Sequence, residues 1–408
     1  MVARPTNVLS VTDTLDSGGA ERVGVDIANS LDRDRHRVFF CATREDGPLH
    51  DRLRPDVTVE ILGRRATWDL APLYRFARFV RANEIDVVHT HGRGSMKFMA
   101  LCRRAGLLTT AHVFHDHYGR LHLDRRASAG MRNALRLGVD EYLGVDSRLC
   151  SWARDTAGVP AAHVHLARSG VDLGRFDNIE PLDLRAAFDL AGREIVLVMI
   201  ANFRQQKDHP TVFRALAELP ESLRSRLGIV IVGSTSAEAD FYQRCMQMVD
   251  DLGVADQVRV AGARDDTLAL LAGADGALLA SKNETGPLVV LEYMASGLPF
   301  VATDTGEITR AVRGQGVGYT PAPRDPQEVA QALADLIELG HDGRAAMGRR
   351  GRQMAEKTFD QHVVTRRIER IYHNLLVGPA TAPAMHAGRE FPAADRAPQA
   401  PSAILTNR

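Results

Sequence analysis

Short, unbroken apolar runs recur along this chain, each followed by a longer stretch with helical spacing. In the first half they are NVLSVT (7–12), HRVFFCAT (36–43), VTVEIL (57–62), DVVHTH (86–91), LTTAHVF (108–114) and EYLGVD (141–146). A strand with one wet face alternates apolar and polar residues. Runs without alternation belong to strands buried on both faces, which requires helices packed on each side of a parallel sheet. Helical spacing over 21–32 and 70–83 supplies such helices. The pattern breaks near 175–193 and restarts with EIVLVMIANF (194–203), GIVIVG (228–233), QVRVAG (257–262), DGALLAS (275–281) and PFVATD (299–304). The expectation is an α/β chain of two doubly wound, Rossmann-like parallel-sheet domains. Residues 1–185 form the first and 186–360 the second. A further helix is read over 361–378, and an Ala/Pro-rich tail, 379–408, is expected to be disordered.

The bulk properties remove several classes of function. Lys and Arg total 51, as do Asp and Glu, so no net charge points to nucleic acid. The four cysteines, Cys41, Cys102, Cys150 and Cys245, form no C-x-x-C pair and read as small buried hydrophobes of a reducing compartment. The longest apolar runs, such as IVLVMIA, fall far short of the ~18 residues a membrane span requires. No signal peptide is read, so a cytoplasmic protein is expected, with peripheral contact at the inner face of the membrane left open. Neither half carries G-x-G-x-x-G, and the near-miss RGQGVGY (313–319) reads as a turn. A dinucleotide-dependent dehydrogenase is disfavoured.

Two facing α/β domains place a ligand in the cleft between the carboxyl ends of their strands. The stretch SKNETGPLVVLEYMASGLP (281–299) lies there. Glu284 falls on the loop after a strand, and Glu292 falls more than one turn into a helix that Pro287 opens. The backbone around Gly286, Leu288 and Val289 marks a helix N-terminus, which attracts anions. An anion alone gains little beside two acids. A ligand with an anionic centre and hydroxyl-bearing ends suits them, since carboxylates accept from sugar hydroxyls. Arg204 and Lys207 in ANFRQQKDHP (201–210) are placed to neutralise a diphosphate, and Gly18 and Gly19 let backbone approach a ligand.

With these stretches in order, the sequence resembles the retaining glycosyltransferases of family 4, the GT-B-fold group that uses nucleotide-sugar donors. The resemblance runs from about residue 7 to 376. It rests on ETGPLVVLE, which is the E-x7-E element, on YMASGLPFVATDTGE after it, and on FRQQKDHP, GGAER (18–22), SGVDLGRF (169–176) and RVAGARDD (259–266). It implies transfer of a sugar from a UDP- or GDP-sugar, with retention, to a glycan or polyprenyl-linked acceptor, as in cell-surface polysaccharide synthesis. It implies that Glu292 binds ribose hydroxyls and Glu284 contacts the transferred sugar. Backbone after Gly286, at Leu288 and Val289, would hold sugar and phosphate. Arg204 and Lys207 would stabilise the leaving diphosphate, Gly18 and Gly19 would admit the β-phosphate, Gly262 to Arg264 would line the base pocket, and the helix over 361–378 would cross back onto the first domain. Many members place the arginine five residues before the lysine. Here Asn202 stands there and Arg204 is three before. Gly306-Glu307 replaces a common Gly-Gly, which is expected to alter the sugar pocket.

Histidines cluster at two strand ends: His89 and His91, then His112, His115 and His117. The resemblance places one of the second group near the donor sugar; by spacing, His115 fits best and His117 second. A metal site built from His89, His91, His115 and His117 is the rival reading, and the expectation is no metal. The basic, leucine-interleaved stretch 119–138 suggests contact with anionic lipid, with an ordinary packed helix as the alternative. Two other functions share the fold: a UDP-sugar 2-epimerase, and a scaffold that binds nucleotide-sugars without catalysis.

Overall fold

A computed structural model of the chain describes residues 4–66, 69–119, 121 and 126–378. It contains two parallel sheets. The first has seven strands: β1 (Thr6–Thr14), β2 (His36–Glu45), β3 (Thr58–Ile61), β4 (Val87–His91), β5 (Ala111–Asp116), β6 (Glu141–Gly144) and β7 (Val164–Leu166), in the order β3-β2-β1-β4-β5-β6-β7. The second has five: β8 (Ile195–Ile200), β9 (Leu227–Val232), β10 (Val258–Gly262), β11 (Gly276–Leu279) and β12 (Phe300–Ala302), in the order β10-β9-β8-β11-β12. Each order reverses once, between β1 and β4 in the first sheet and between β8 and β11 in the second. Those are the switch points at which α/β sheets open a crevice.

The apolar runs do what their lack of alternation requires. Along β8, odd and even residues serve opposite faces. Ile195, Leu197 and Met199 enter one core, and Val196 and Val198 enter the other. β9 divides in the same way. The expectation of burial on both faces fails at β3, an edge strand whose residues are exposed or half-buried. β5 starts at Ala111 rather than 108 and runs to Asp116, two residues past the expected end. β7 was not anticipated, because three half-exposed residues carry no pattern. The tail 379–408 lies outside the described residues.

The helix Gln361–Val377 returns to the first sheet. Asp360 caps it by accepting from the Val363 N–H at 3.1 Å. Val364, Ile368 and Tyr372 then pack in the core that β1, β2, β4 and β5 share. The outgoing chain and the returning chain meet side by side, with Val171 N–H to Phe359 O at 2.8 Å and Gln361 N–H to Val171 O at 3.0 Å. Of the basic stretch, residues 129–138 form a helix whose Met131 and Leu135 are buried. Among the described residues, no helix is long and apolar enough to cross a membrane.

Candidate active site

The loops after β8 and β11 are laced together at the second switch point. Gln206 O accepts from the Lys282 N–H at 2.8 Å, and the Gln206 amide donates to Asn283 O at 2.7 Å. Asp208 between them has φ +51°, a left-handed conformation uncommon outside glycine. It is buried, and its carboxylate receives the Thr211 hydroxyl at 2.8 Å and faces the Lys282 ammonium at 3.2 Å. Strain of this kind is held only where surrounding contacts fix it, and it gathers at functional sites. The result is that Lys207 Nζ meets Glu284 Oε1 at 2.7 Å, two side chains 77 positions apart in sequence. Behind Glu284, Gly306 adopts φ +85° with Thr285 so close that a side chain there would press on its carbonyl at 3.0 Å.

The helix Leu288–Ala295 begins beside Glu284. Pro287 sits at its N-cap, one position before the expected first turn, and no side chain caps it. This leaves its first backbone N–H groups without a side-chain cap, the arrangement that favours an anion. Glu292 projects from the same helix toward the first domain and pairs with Arg22 of the helix Gly19–Ser30. Leu288 packs on the cores of both domains.

A cleft of about 1140 Å³ lies between the domains, lined by Gly92, Arg93 and His117 from the first and by Gln206, Lys282 and Asn283 from the second. A smaller recess of about 360 Å³ adjoins it at Glu284, Thr285 and Arg148. The structure places the two candidate histidines differently. His115 is fully buried, with Nε2 3.1 Å from Ala167 O, whereas His117 is half-buried on the cleft wall. Burial pushes the His117 imidazole well below its ordinary range, and the neighbouring His115 and His91 add to this, so it is neutral at pH 7.

Other anticipated residues fall less simply. Arg204 is exposed at the start of the turn that carries Lys207. Around Gly19 there is open space, as close ligand approach requires, but Gly18 is covered by the Glu21 carboxylate. Burial pushes that carboxyl up, with Asp13 and Asp16 adding to it. An anion approaching this helix start has to displace Glu21. Gly262 lies at the end of β10, and the Arg264 guanidinium is engaged by Asp266, with Nε to Oδ1 at 2.7 Å.

Two family descriptions tile the chain. "Glycosyltransferase Family 4" matches residues 17–175, and "Glycosyl transferases group 1" matches residues 182–354. The chain belongs to the group 1, family 4 glycosyltransferases. Among its relatives is the N-acetyl-alpha-D-glucosaminyl L-malate synthase of Bacillus anthracis, 24% identical over 88% of this chain and 94% of that protein. Another is the D-inositol 3-phosphate glycosyltransferase of Actinosynnema mirum, 28% identical over 81% of this chain and 86% of its own. Among solved structures, the Anabaena protein HepE in complex with UDP superposes with a TM-score of 0.78 at 21% identity, over 90% of this chain and 100% of that one. That likeness establishes the GT-B fold.

Three charged residues near the cleft and the domain junction make contacts that the sequence reading did not anticipate. Arg22 is one. Asp116, fully buried at the end of β5, is another. It receives Tyr142 OH at 2.8 Å and pairs with Arg93 at 3.0 Å, and the Arg93 guanidinium lies 3.7 Å from the Tyr118 ring centre and 4.4 Å from that of Trp152. Glu307 is a third. It does not open into a sugar pocket: it is buried at the domain junction, accepting the Ser147 N–H at 3.0 Å and Arg168 at 2.7 Å. Burial alone would push its carboxyl up; those donors outweigh it and hold the carboxyl below the ordinary range.

Proposed function

We propose that this glycosyltransferase moves a sugar from a nucleoside-diphosphate sugar, with UDP-sugars the first candidates, to a hydroxyl of a small acceptor that carries negative charge, with retention at the anomeric carbon. The observation that carries the donor reading is the convergence of Lys207, Glu284 and the uncapped helix at Leu288, with Glu292 one face further along it. The cleavage breaks the bond from the anomeric carbon to the diphosphate oxygen. Positive charge grows on the sugar and negative charge on the departing diphosphate. Lys207, the helix N-terminus and Arg204 meet the negative charge, a preorganised electrostatic stabilisation. Glu284 holds sugar hydroxyls, and His117 orients another from the opposite wall. The acceptor oxygen bonds the anomeric carbon on the face the diphosphate leaves, and its proton passes to the diphosphate. Domain closure keeps water from the reacting carbon.

The charged acceptor is supported by Lys97 and Arg324, exposed cations that line the cleft beyond the donor loops. The relatives named above act on L-malate and on D-inositol 3-phosphate, both anionic. Delivery to a lipid-linked acceptor is the second reading. Leu137, 74% exposed next to the exposed Arg136, with the exposed Arg132 earlier on the same helix, favours it, and flotation with anionic vesicles tests it. Screening UDP-, GDP-, ADP- and TDP-sugars by thermal shift and nucleoside diphosphate release tests the donor. One sugar nucleotide is expected to stabilise and to be slowly hydrolysed, with both effects lost in Glu292→Ala. No response to any donor from folded protein overturns the reading.

The Arg22–Glu292 pair gives a second check. Ribose hydroxyls bound by Glu292 have to part it. Replacing Arg22 with Ala is expected to tighten nucleoside diphosphate binding roughly fivefold, the ~1 kcal/mol that an accessible ion pair contributes. Calorimetric titration measures this, and weaker binding in Arg22→Ala would instead make Arg22 a phosphate ligand.

A further inference from the structure

We propose that His89, His91 and His115 form a site for a borderline divalent transition metal of the zinc type, set one layer behind the cleft wall. The register builds it. His89 and His91 are two apart on β4, so they share a face, and His115 on β5 is the direct partner of His91. The ring centres are 4.2 Å apart for His89 and His91, and 5.5 Å from each to His115. All three side chains are at most 2% exposed. A nitrogen from each ring lies within 4.8 Å of a nitrogen from each of the others.

The hydrogen bonds divide each ring into a used and an unused nitrogen. His89 Nδ1 is 2.6 Å from Tyr372 OH, His91 Nδ1 is 3.3 Å from His117 Nε2, and His115 Nε2 is 3.1 Å from Ala167 O. The opposite nitrogens, His89 Nε2, His91 Nε2 and His115 Nδ1, are buried without a hydrogen-bond partner. A carbonyl only accepts, so His115 Nε2 carries the proton and Nδ1 presents a bare lone pair. Buried polar atoms of native proteins find partners, and three orphans in one small cluster ask for a common one. A cation answers all three at once. Imidazole nitrogens bind zinc at about 2.1 Å, so donors in a tetrahedral set sit about 3.4 Å apart, within reach of small side-chain rotations. Three imidazoles with no carboxylate among them suit zinc-type ions rather than magnesium or calcium. The outer partners are those expected around ligating histidines: a carbonyl, a phenol and another imidazole.

Such an ion would join β4 and β5 and, through Tyr372, hold the returning helix on the first sheet. It would also fix a tautomer at the cleft. With His91 Nε2 given to the metal, its Nδ1–H donates to His117 Nε2, which leaves the His117 proton on Nδ1. This is a positioning role, and it stands whether or not the donor reading does.

The test uses the full chain. Metal content is measured after growth with zinc, then the protein is stripped with chelator and titrated with Zn2+ and Co2+. About one equivalent is expected to bind, with a rise in Tm and, for Co2+, visible absorption of low-coordinate nitrogen ligation. His91→Asn and His115→Gln are expected to lose the metal and the absorption. The more accessible group of His163 and His165 on Glu141 is the competing place for adventitious metal. His165→Ala is therefore expected to keep full binding. A folded chain that takes up neither ion overturns the proposal, and so does binding that survives His115→Gln or vanishes in His165→Ala. If the cluster variants do not fold, the native chain and His165→Ala decide by the same readings.

Discussion

Replacing Lys207 with Ala is expected to lower kcat/KM by about 10²- to 10³-fold, the range found when one preorganised group facing the developing charge is removed. Two effects combine. The ammonium that meets the leaving diphosphate is gone, and the Glu284 carboxylate, with its side chain only 14% exposed, is left without its 2.7 Å partner. An unpaired carboxylate beside a departing diphosphate repels the charge that the site has to stabilise. The loss should fall mainly in kcat, because the charge grows along the reaction, with a smaller change in donor KM. Lys207→Arg keeps the charge but not the compact ammonium, and should recover only part of the activity. Circular dichroism and Tm close to those of the parent chain are expected, since Lys207 sits on a short turn outside both cores. A loss below threefold would remove Lys207 from the mechanism and leave it as a tether for Glu284.

How far the site could be read in advance follows from strand ends. The apolar runs located most strands, because burial on both faces leaves an unmistakable unbroken pattern. They did not say where the strands stop. β5 reads as ending at Phe114, which leaves His115 outside the strand. Pairing continues to Asp116, opposite Gly144 of β6, so His115 stays inside and His117 takes the cleft position. Two residues of extension decide which histidine is buried in the sheet and which lines the cleft. The loops that carry Glu284 and Lys207 were legible because each leaves the carboxyl end of a strand, β11 and β8. Arg22 was not, because its partner Glu292 lies 270 positions away and helical spacing carries no sign of a contact across domains. The helix Gly340–Met354 escaped for a different reason: four glycines and four arginines in GHDGRAAMGRRGRQM leave no apolar stripe to count.

Glu307→Ala is expected to destabilise the chain by about 3 kcal/mol, the lower end of what breaking a buried ion pair costs. The cost arises at the domain junction. Glu307 receives the Ser147 N–H from the first domain and Arg168 from the connecting segment, and it shares Arg310 with Asp146, the distances being 3.1 Å to Glu307 and 2.9 Å to Asp146. Asp146 is itself fully buried and also pairs with Arg148, whose guanidinium donates to Glu284 O at 2.8 Å. Removing Glu307 leaves Arg168 and Arg310 facing one another's field with one acid fewer, and it loosens the segment that holds Glu284. The acid dependence has a definite sign. The folded carboxyl is held below its unfolded value of about 4.3, so Glu307 contributes fully above that pH. Its contribution fades as pH falls through the folded value. Denaturant titrations of the parent chain and Glu307→Gln should therefore differ most at neutral pH, and the difference should shrink as pH falls below the unfolded value of about 4.3. A difference that stays constant down to pH 3, roughly a unit below the unfolded value, would mean that Glu307 acts by packing and not by charge.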